Sequence, residues 1–205
     1  MLRIDHVIMT VRDLNAAADR LSDSHGLGSV PGGRHRGHGT GNRIVPLGHS
    51  YLELMAVVDP DEAPGSPLGR WVADQVTRGD RLAALCLRTD DIEAVARRLG
   101  QEPEGMSRQR PDGTELSWRL VGMQIALSEG LPFFIQWDVP AQYHPGLARA
   151  DHRIEPSGVT WVELGGDPQQ LAAWLEPHDL DLRVVPGHKG IRRLGIGTAD
   201  GEIVL

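Results

Sequence analysis

Leu2-Arg3-Ile4-Asp5-His6-Val7-Ile8-Met9-Thr10-Val11-Arg12-Asp13-Leu14 reads as an apolar strand that ends on an acidic residue and runs into an Ala- and Leu-rich segment. The pattern returns in Arg81-Leu82-Ala83-Ala84-Leu85-Cys86-Leu87-Arg88-Thr89-Asp90-Asp91-Ile92, and more faintly in Gly158-Val159-Thr160-Trp161-Val162-Glu163-Leu164-Gly165-Gly166-Asp167. A strand-to-helix unit repeated at a nearly constant interval argues for paired or stacked modules. Within the first strand, alternation puts Ile4, His6, Ile8 and Thr10 on one face and Asp5, Val7, Met9 and Val11 on the other. Asp13 is placed to cap the helix that follows.

Working outward, residues 42–47 and 51–57 form a hairpin across Gly48-His49-Ser50. The stretch from Pro31 to Gly41, rich in glycine and histidine, reads as a loop. A Pro- and Asp-rich connector follows, with a short helix over 68–76. The second module has its helix at 92–99, strands at 115–121 and 133–138, a turn at Pro111-Asp112-Gly113, and a further strand expected over 123–128. After a second linker, a third unit has a strand at 159–164, a helix at 169–175, and strands at 181–185, 192–196 and 202–205. The fold class is α+β: βαβββ modules at 1–58, 81–139 and, shorter, 157–205. They are expected to form curved mixed sheets with helices on one side and a cleft on the other.

A chain of 205 residues can bury a substantial core. Its formal net charge of −7 argues against broad nucleic-acid binding, which needs a basic face. The single cysteine, Cys86, sits in a strand and is expected to be a buried structural thiol, since nothing nearby activates it. The start lacks the pattern of a signal peptide, and no apolar run reaches the ~18 residues of a membrane span. A cytoplasmic protein without membrane or nucleic-acid partners is the expectation. Neither a phosphate-binding GxxxxGK[ST] loop nor a dinucleotide fingerprint is present.

The repeated modules opening with Ile4-Asp5-His6-Val7, together with Tyr51-Leu52-Glu53-Leu54, resemble the vicinal-oxygen-chelate (glyoxalase and bleomycin-resistance) superfamily. Four further segments resemble its glyoxalase-like domain group: Pro31-Gly32-Gly33-Arg34-His35, Gly39-Thr40-Gly41-Asn42, Ser107-Arg108-Gln109-Arg110-Pro111-Asp112-Gly113 and Ser117-Trp118-Arg119. The resemblance covers residues 1–145 by motif. It implies a cup in which two modules hold a divalent metal through the first and last strands of each. Carried onto this chain, His6, Glu53 and Gln136 are the implied ligands. Ala84, which falls opposite His6, cannot be one. Such a donor set suits Zn, Mn, Ni or Fe. The other reading makes His6 and Glu53 a hydrogen-bonded pair in a module without metal.

Other candidates follow from chemistry. His35 in the glycine-rich stretch is expected to serve the site as acid, base or ligand beside Glu53, whereas His38 is expected to be solvated. Asn42 either binds a substrate carbonyl or caps a turn. Trp118 and Arg119 point to opposite faces of their strand, so one of them lines the cleft; Arg119 there would grip a carboxylate. Gln136 is expected to look into the cleft and Trp137 to pack beneath a helix. Arg108 and Arg110 either close over the same anion or lie at the surface, which is the expectation; His144 either reaches the mouth of the cleft or, as expected, is solvated. The resulting expectation is a glyoxalase-like protein that holds a small carbonyl- or carboxylate-bearing molecule in a cup. Its chemistry would be that of a metal-assisted isomerase or lyase, less readily a dioxygenase. The alternative is metal-independent binding or sequestration of bleomycin-resistance type. An unpaired third module points to a lid or a homodimer.

Overall fold

The computed structural model describes residues 1–110, 112–175 and 177–205; Pro111, expected in a turn, lies outside the described residues. The first unit consists of β1 (Arg3–Thr10), α1 (Leu14–His25), β2 (Val30–His35), β3 (Thr40–Pro46) and β4 (Tyr51–Val57). After α2 (Pro67–Thr77) come β5 (Arg81–Arg88), α3 (Ile92–Leu99), β6 (Glu104–Gln109), β7 (Glu115–Val121), α4 (Met123–Glu129) and β8 (Phe133–Trp137). The chain ends with β9 (Pro156–Gly165), α5 (Pro168–Leu175), β10 (Leu182–Val185), β11 (Gly190–Thr198) and β12 (Gly201–Val204). Among the described residues no helix is long and apolar enough to cross a membrane.

Strands β1 to β8 make one sheet in the order β2-β3-β4-β1-β5-β8-β7-β6, and the last four make a second sheet, β10-β9-β11-β12. The two opening strands β1 and β5 lie antiparallel at the centre of the large sheet. Each is flanked by the closing strand of its own unit, β4 or β8, in parallel. The sheet curls until its two edges meet. Arg108 of β6 donates from Nη1 to the carbonyl of Gly32 in β2. A Cβ on Gly33, whose φ is 149°, would come within 2.8 Å of the Gln109 carbonyl. Gly32, against Asn42 of β3, and Gly33, against Gln109 of β6, therefore serve close strand approach, while Gly37 lies in the turn at residues 36–39. Residues 30–35 are a strand rather than the expected loop.

Capping fixes the helix starts. The Asp13 carboxylate accepts from the backbone N–H groups of Asn15 and Ala16, as expected, and Asp91 accepts from that of Ala94. Residues 123–129 are helical where a strand was expected. They are good helix formers, bracketed by Gly122 and Gly130 in the left-handed conformation.

Two apolar layers hold the large sheet. On the convex face, Val7, Leu85 and Phe134 pack with α1, α3 and α5, and with Val162 and Ile196 of the second sheet. On the concave face, Ile8, Ala84, Cys86 and Phe133 pack with Leu68 and Val72 of α2 and Ala126 of α4. Helices therefore cover both faces, contrary to the expectation of one helical side. Burying a side chain such as Leu68 or Val72 is worth about 1.5–3 kcal/mol, which keeps α2 seated over the cup.

A register shift between Ile4 and His6 breaks the alternation of β1. Ile4 and Val7 both pack on the convex core, while His6 and Ile8 face the concave side. The residue between, Asp5, is turned in beside His6 and is wholly buried. The two-face alternation expected for this strand fails at Ile4, which leaves the face of His6, and at Asp5, which joins it.

Candidate functional site

The concave side holds a narrow, partly open cavity of about 40 Å³, measured as space for the centre of a water molecule. Its polar wall comes from the first module: His6 on β1, His35 on β2, Asn42 on β3, and Tyr51 and Glu53 on β4. Its apolar wall comes mostly from the second, with Trp118, Phe133, Ile135 and Trp137. Arg108 of β6 closes the ring at the seam between the sheet edges.

His6 is held on every side. Its Nδ1 lies 2.7 Å from Oδ1 of Asp5, and its Nε2 lies 3.4 Å from Oε2 of Glu53. Tyr51 stacks on its ring at 4.6 Å between centroids, and Phe133 meets it edge-on at 5.8 Å. Asp5 is saturated with donors: Nε1 of Trp137 and Nε2 of His144 each lie 3.0 Å from Oδ2. Burial by itself would raise the Asp5 pKa, but hydrogen bonds from His144 and His6 outweigh it and hold the carboxyl well below its usual range. Asp5 is therefore a carboxylate, His6 carries a proton on Nδ1, and Nε2 is the atom left to face the cavity. His144 accepts at Nδ1 from the Gly146 backbone N–H, so its Nε2 carries the proton given to Asp5.

Glu53 sits between three partners. Asn42 donates from Nδ2 to Oε1 at 2.5 Å, and Nε2 of His35 lies 3.8 Å from the same oxygen. The other amide atom of Asn42, Oδ1, packs against Gly32 with no hydrogen-bond partner. Asn42 thus orients Glu53 and does not offer its amide to a ligand. His35 is only 5% exposed, and its Nδ1 is paired with Oγ1 of Thr40 at 3.0 Å. Burial pushes its pKa down to about 4, against the opposing pull of Glu53, so the ring is neutral near pH 7. Burial, with the charges of Asp5 and Glu53, raises the Tyr51 pKa well above the ordinary value and keeps its phenol protonated. Burial likewise raises that of the Cys86 thiol, as expected of a structural cysteine.

The structure brings His6, His35, Asn42, Glu53 and Trp118 together, and leaves two expected residues outside. Gln136 turns its Oε1 to accept from the backbone N–H of Ile92, capping α3 at 2.8 Å. Arg119 lies on the outer face and is paired with Asp138 and Glu93. The arginine that does line the cavity is Arg108, expected at the surface but 7% exposed. Burial lowers its pKa, offset in part by Tyr51 and Glu53. Among the described residues no carboxylate lies within ion-pair distance of it. Trp137 lines the cavity instead of packing under a helix, and His144 is buried rather than solvated. Tyr51 stood within a quoted motif and could have been picked out by its neighbour Glu53. Asp5 likewise lies in the Ile4-Asp5-His6-Val7 motif beside His6, whereas Trp137 and His144 carried no comparable signal.

The metal implied by the resemblance needs donors from both modules. Glu53 lies opposite Ile8, two residues beyond His6, and in the same parallel geometry Phe133 lies opposite Cys86, two residues beyond Ala84. The positions equivalent to His6 and Glu53 are therefore Ala84 and Phe133, neither of which can ligate. Among the described residues, one set of three potential ligands closes within 4.8 Å: Asp5, His6 and Cys86. It does not fit an ion well, because Asp5 is already saturated by hydrogen bonds from Trp137, His144 and His6. The two-module chelate does not fit this chain.

A family described as "Glyoxalase-like domain" matches residues 4–178. A hypothetical protein from Staphylococcus aureus has the same fold, with a TM-score of 0.75 at 20% identity over 98% of this chain and 93% of that one. Methylmalonyl-CoA epimerase from Mycobacterium tuberculosis is similar over 67% of this chain and 88% of its own, at 20% identity and a TM-score of 0.45. No curated protein matches the chain. With its curled eight-stranded sheet of paired units and a family match across most of its length, this chain belongs to the glyoxalase-like domain family, within the vicinal-oxygen-chelate fold.

Proposed function

We propose that the chain binds a small molecule bearing a carbonyl or carboxylate oxygen in this cavity and moves a proton on it, as an isomerase or lyase does. The observation that carries the reading is the contact between Nε2 of His6 and Oε2 of Glu53 at 3.4 Å. With Nδ1 committed to Asp5, Nε2 is the ring atom that faces the carboxylate, and the two groups meet at the edge of the cavity, where a proton can pass between them and a bound ligand.

The remaining side chains supply the rest. Arg108, which has no carboxylate within ion-pair distance among the described residues, offers its guanidinium to an anionic oxygen. The protonated Tyr51 phenol is a donor suited to charge building on a carbonyl oxygen. Glu53, steered by Asn42, is the base for a hydrogen next to that carbonyl, and His6 holds or returns the proton. Neutral His35 backs Glu53. Trp118, Phe133 and Trp137 exclude water and give the ligand an apolar face.

A second reading is a divalent ion, Zn, Mn, Ni or Fe, on His6 and Glu53. The observation favouring it is the Asp5–His6 hydrogen bond, since metal-bound histidines usually donate their other N–H to a carboxylate. Such an ion would have protein ligands from one module only. Sequestration without turnover uses the same cavity and is distinguished by assay.

The test is solvent exchange. Chelator-treated protein is incubated in D2O with a panel of 2-substituted carboxylic acids and their thioesters, and loss of the C2 proton is followed by NMR. Catalysed exchange abolished by Glu53→Gln supports the reading. Binding of panel members without exchange points to sequestration.

A further inference from the structure

The seam between the sheet edges has the cavity on one side and an outer groove on the other. Arg108 and Met106 line the cavity from within and also line the groove on the outside, where Arg36, His38 and Ser107 gather beside the turn between β2 and β3. Arg108 therefore stands in the partition between the two spaces. Its Nη1 binds the Gly32 carbonyl, and the rest of its fork has no carboxylate partner among the described residues. Arg36 is exposed and makes no ion pair among the described residues. Nδ1 of His38 is hydrogen-bonded with the Ser66 hydroxyl at 2.7 Å, and the residue lines the groove. Glu115, also on the groove, is the one acidic side chain that lines it. In a chain with net charge −7, an unpaired basic cluster around a buried arginine needs a reason.

We infer that the seam between β2 and β6 is an oxyanion subsite: the ligand carries a carboxylate or phosphate group that Arg108 meets from inside and Arg36 from outside, while its carbonyl end reaches Glu53. This deepens the function proposed above and rests on it for the identity of the reacting end. The chemical class is then an acyl or oxo compound with a terminal anionic group. The wholly apolar carbonyl compounds that the tryptophan-lined wall alone would accept are excluded. Two arginines at one oxyanion suit a forked, bidentate contact.

The test reads binding directly and needs no turnover. Inorganic phosphate and malonate are titrated separately into full-length protein, and backbone amide and arginine side-chain NMR signals are followed. Either anion should shift Arg36, Arg108 and Gly32. Arg36→Gln should weaken that binding at least about tenfold, the scale of one lost charge-assisted contact. Phosphate binding over malonate names a phosphorylated ligand, and the reverse a carboxylate. Arg108→Gln should abolish binding; because it also loosens the seam, the exposed Arg36 carries the decisive comparison. Absence of shifts at the seam with both anions, or affinity unchanged in Arg36→Gln, overturns the inference. Seam binding without proton exchange on any panel acid would leave the subsite standing and remove the proton-transfer reading instead.

Discussion

Oδ1 of Asp5 lies 2.7 Å from Nδ1 of His6, its neighbour in sequence, although adjacent residues of a regular strand point to opposite faces. The break in register at β1 makes that contact, and the contact decides which nitrogen of His6 meets the cavity. Both follow from one irregularity. Nitrogen NMR shifts should therefore report a proton on Nδ1 of His6. In Asp5→Asn the charge is lost while Trp137 and His144 keep their place, so the fixed tautomer should disappear. Stability should fall by about 3–5 kcal/mol, as for a broken buried charge network, measured by urea unfolding. A change within experimental error would mean that Asp5 does not hold the site.

Glu53→Gln keeps the shape and the hydrogen bond to Asn42 but removes the base. Exchange at the C2 position should drop by about 10²–10⁴-fold with ligand affinity largely retained. A variant that exchanged at the normal rate would move the base elsewhere, to His35 first.

His35 gives a pH signature. Its pKa is about 6.5 in the unfolded chain and about 4 when folded, so between these values the unfolded state takes up a proton that the folded state refuses. Its contribution to stability is complete above pH 6.5 and is lost as pH falls toward 4. The full loss is about 3 kcal/mol. In His35→Gln the fall in stability between pH 7 and pH 4.5 should be shallower than in wild type. Parallel curves would show that His35 protonates where it stands.

The vacant second-module positions can be refilled. Ala84→His with Phe133→Glu would face His6 and Glu53 with two further donors. The substitution at Phe133 replaces a buried ring and should lower the melting temperature of the metal-free protein. Added zinc should then raise it again, by linkage, while wild type stays unmoved. A wild-type protein that gained as much from zinc would already hold a complete site.

Much of this was legible in the sequence, because the α+β modules are carried by local signals. Asp13 and Asp91 cap helices where they should, and the strands around Tyr51-Leu52-Glu53-Leu54 alternate cleanly. His6, Asn42 and Glu53 lie on strands legible from the residues, whereas His35 read as part of a loop and the face of Trp118 was left open between it and Arg119. What failed was non-local. Gln136 looked like a ligand by its position, but the open N–H of Ile92 claims it, a partner 44 residues away. Arg119 was preferred over Arg108 because nothing in the chain says that the two sheet edges meet. Asp5 was placed on the wrong face because a bulge leaves no mark in residue type. The glycines near Pro31 read as a loop, since glycine serves both turns and close strand contact.

In the function proposed, His6 and Glu53 form an acid–base pair, and the second-module positions that answer to them, Ala84 and Phe133, bring no metal ligand. The measurement that tests it most directly is the metal-to-protein ratio of tag-free protein loaded with excess zinc, manganese, nickel or iron and then washed. The same is done for His6→Ala with Glu53→Ala. The account predicts ratios far below one in both. A ratio near one in wild type, lost in the double variant, would contradict it and make the site a one-module metal centre.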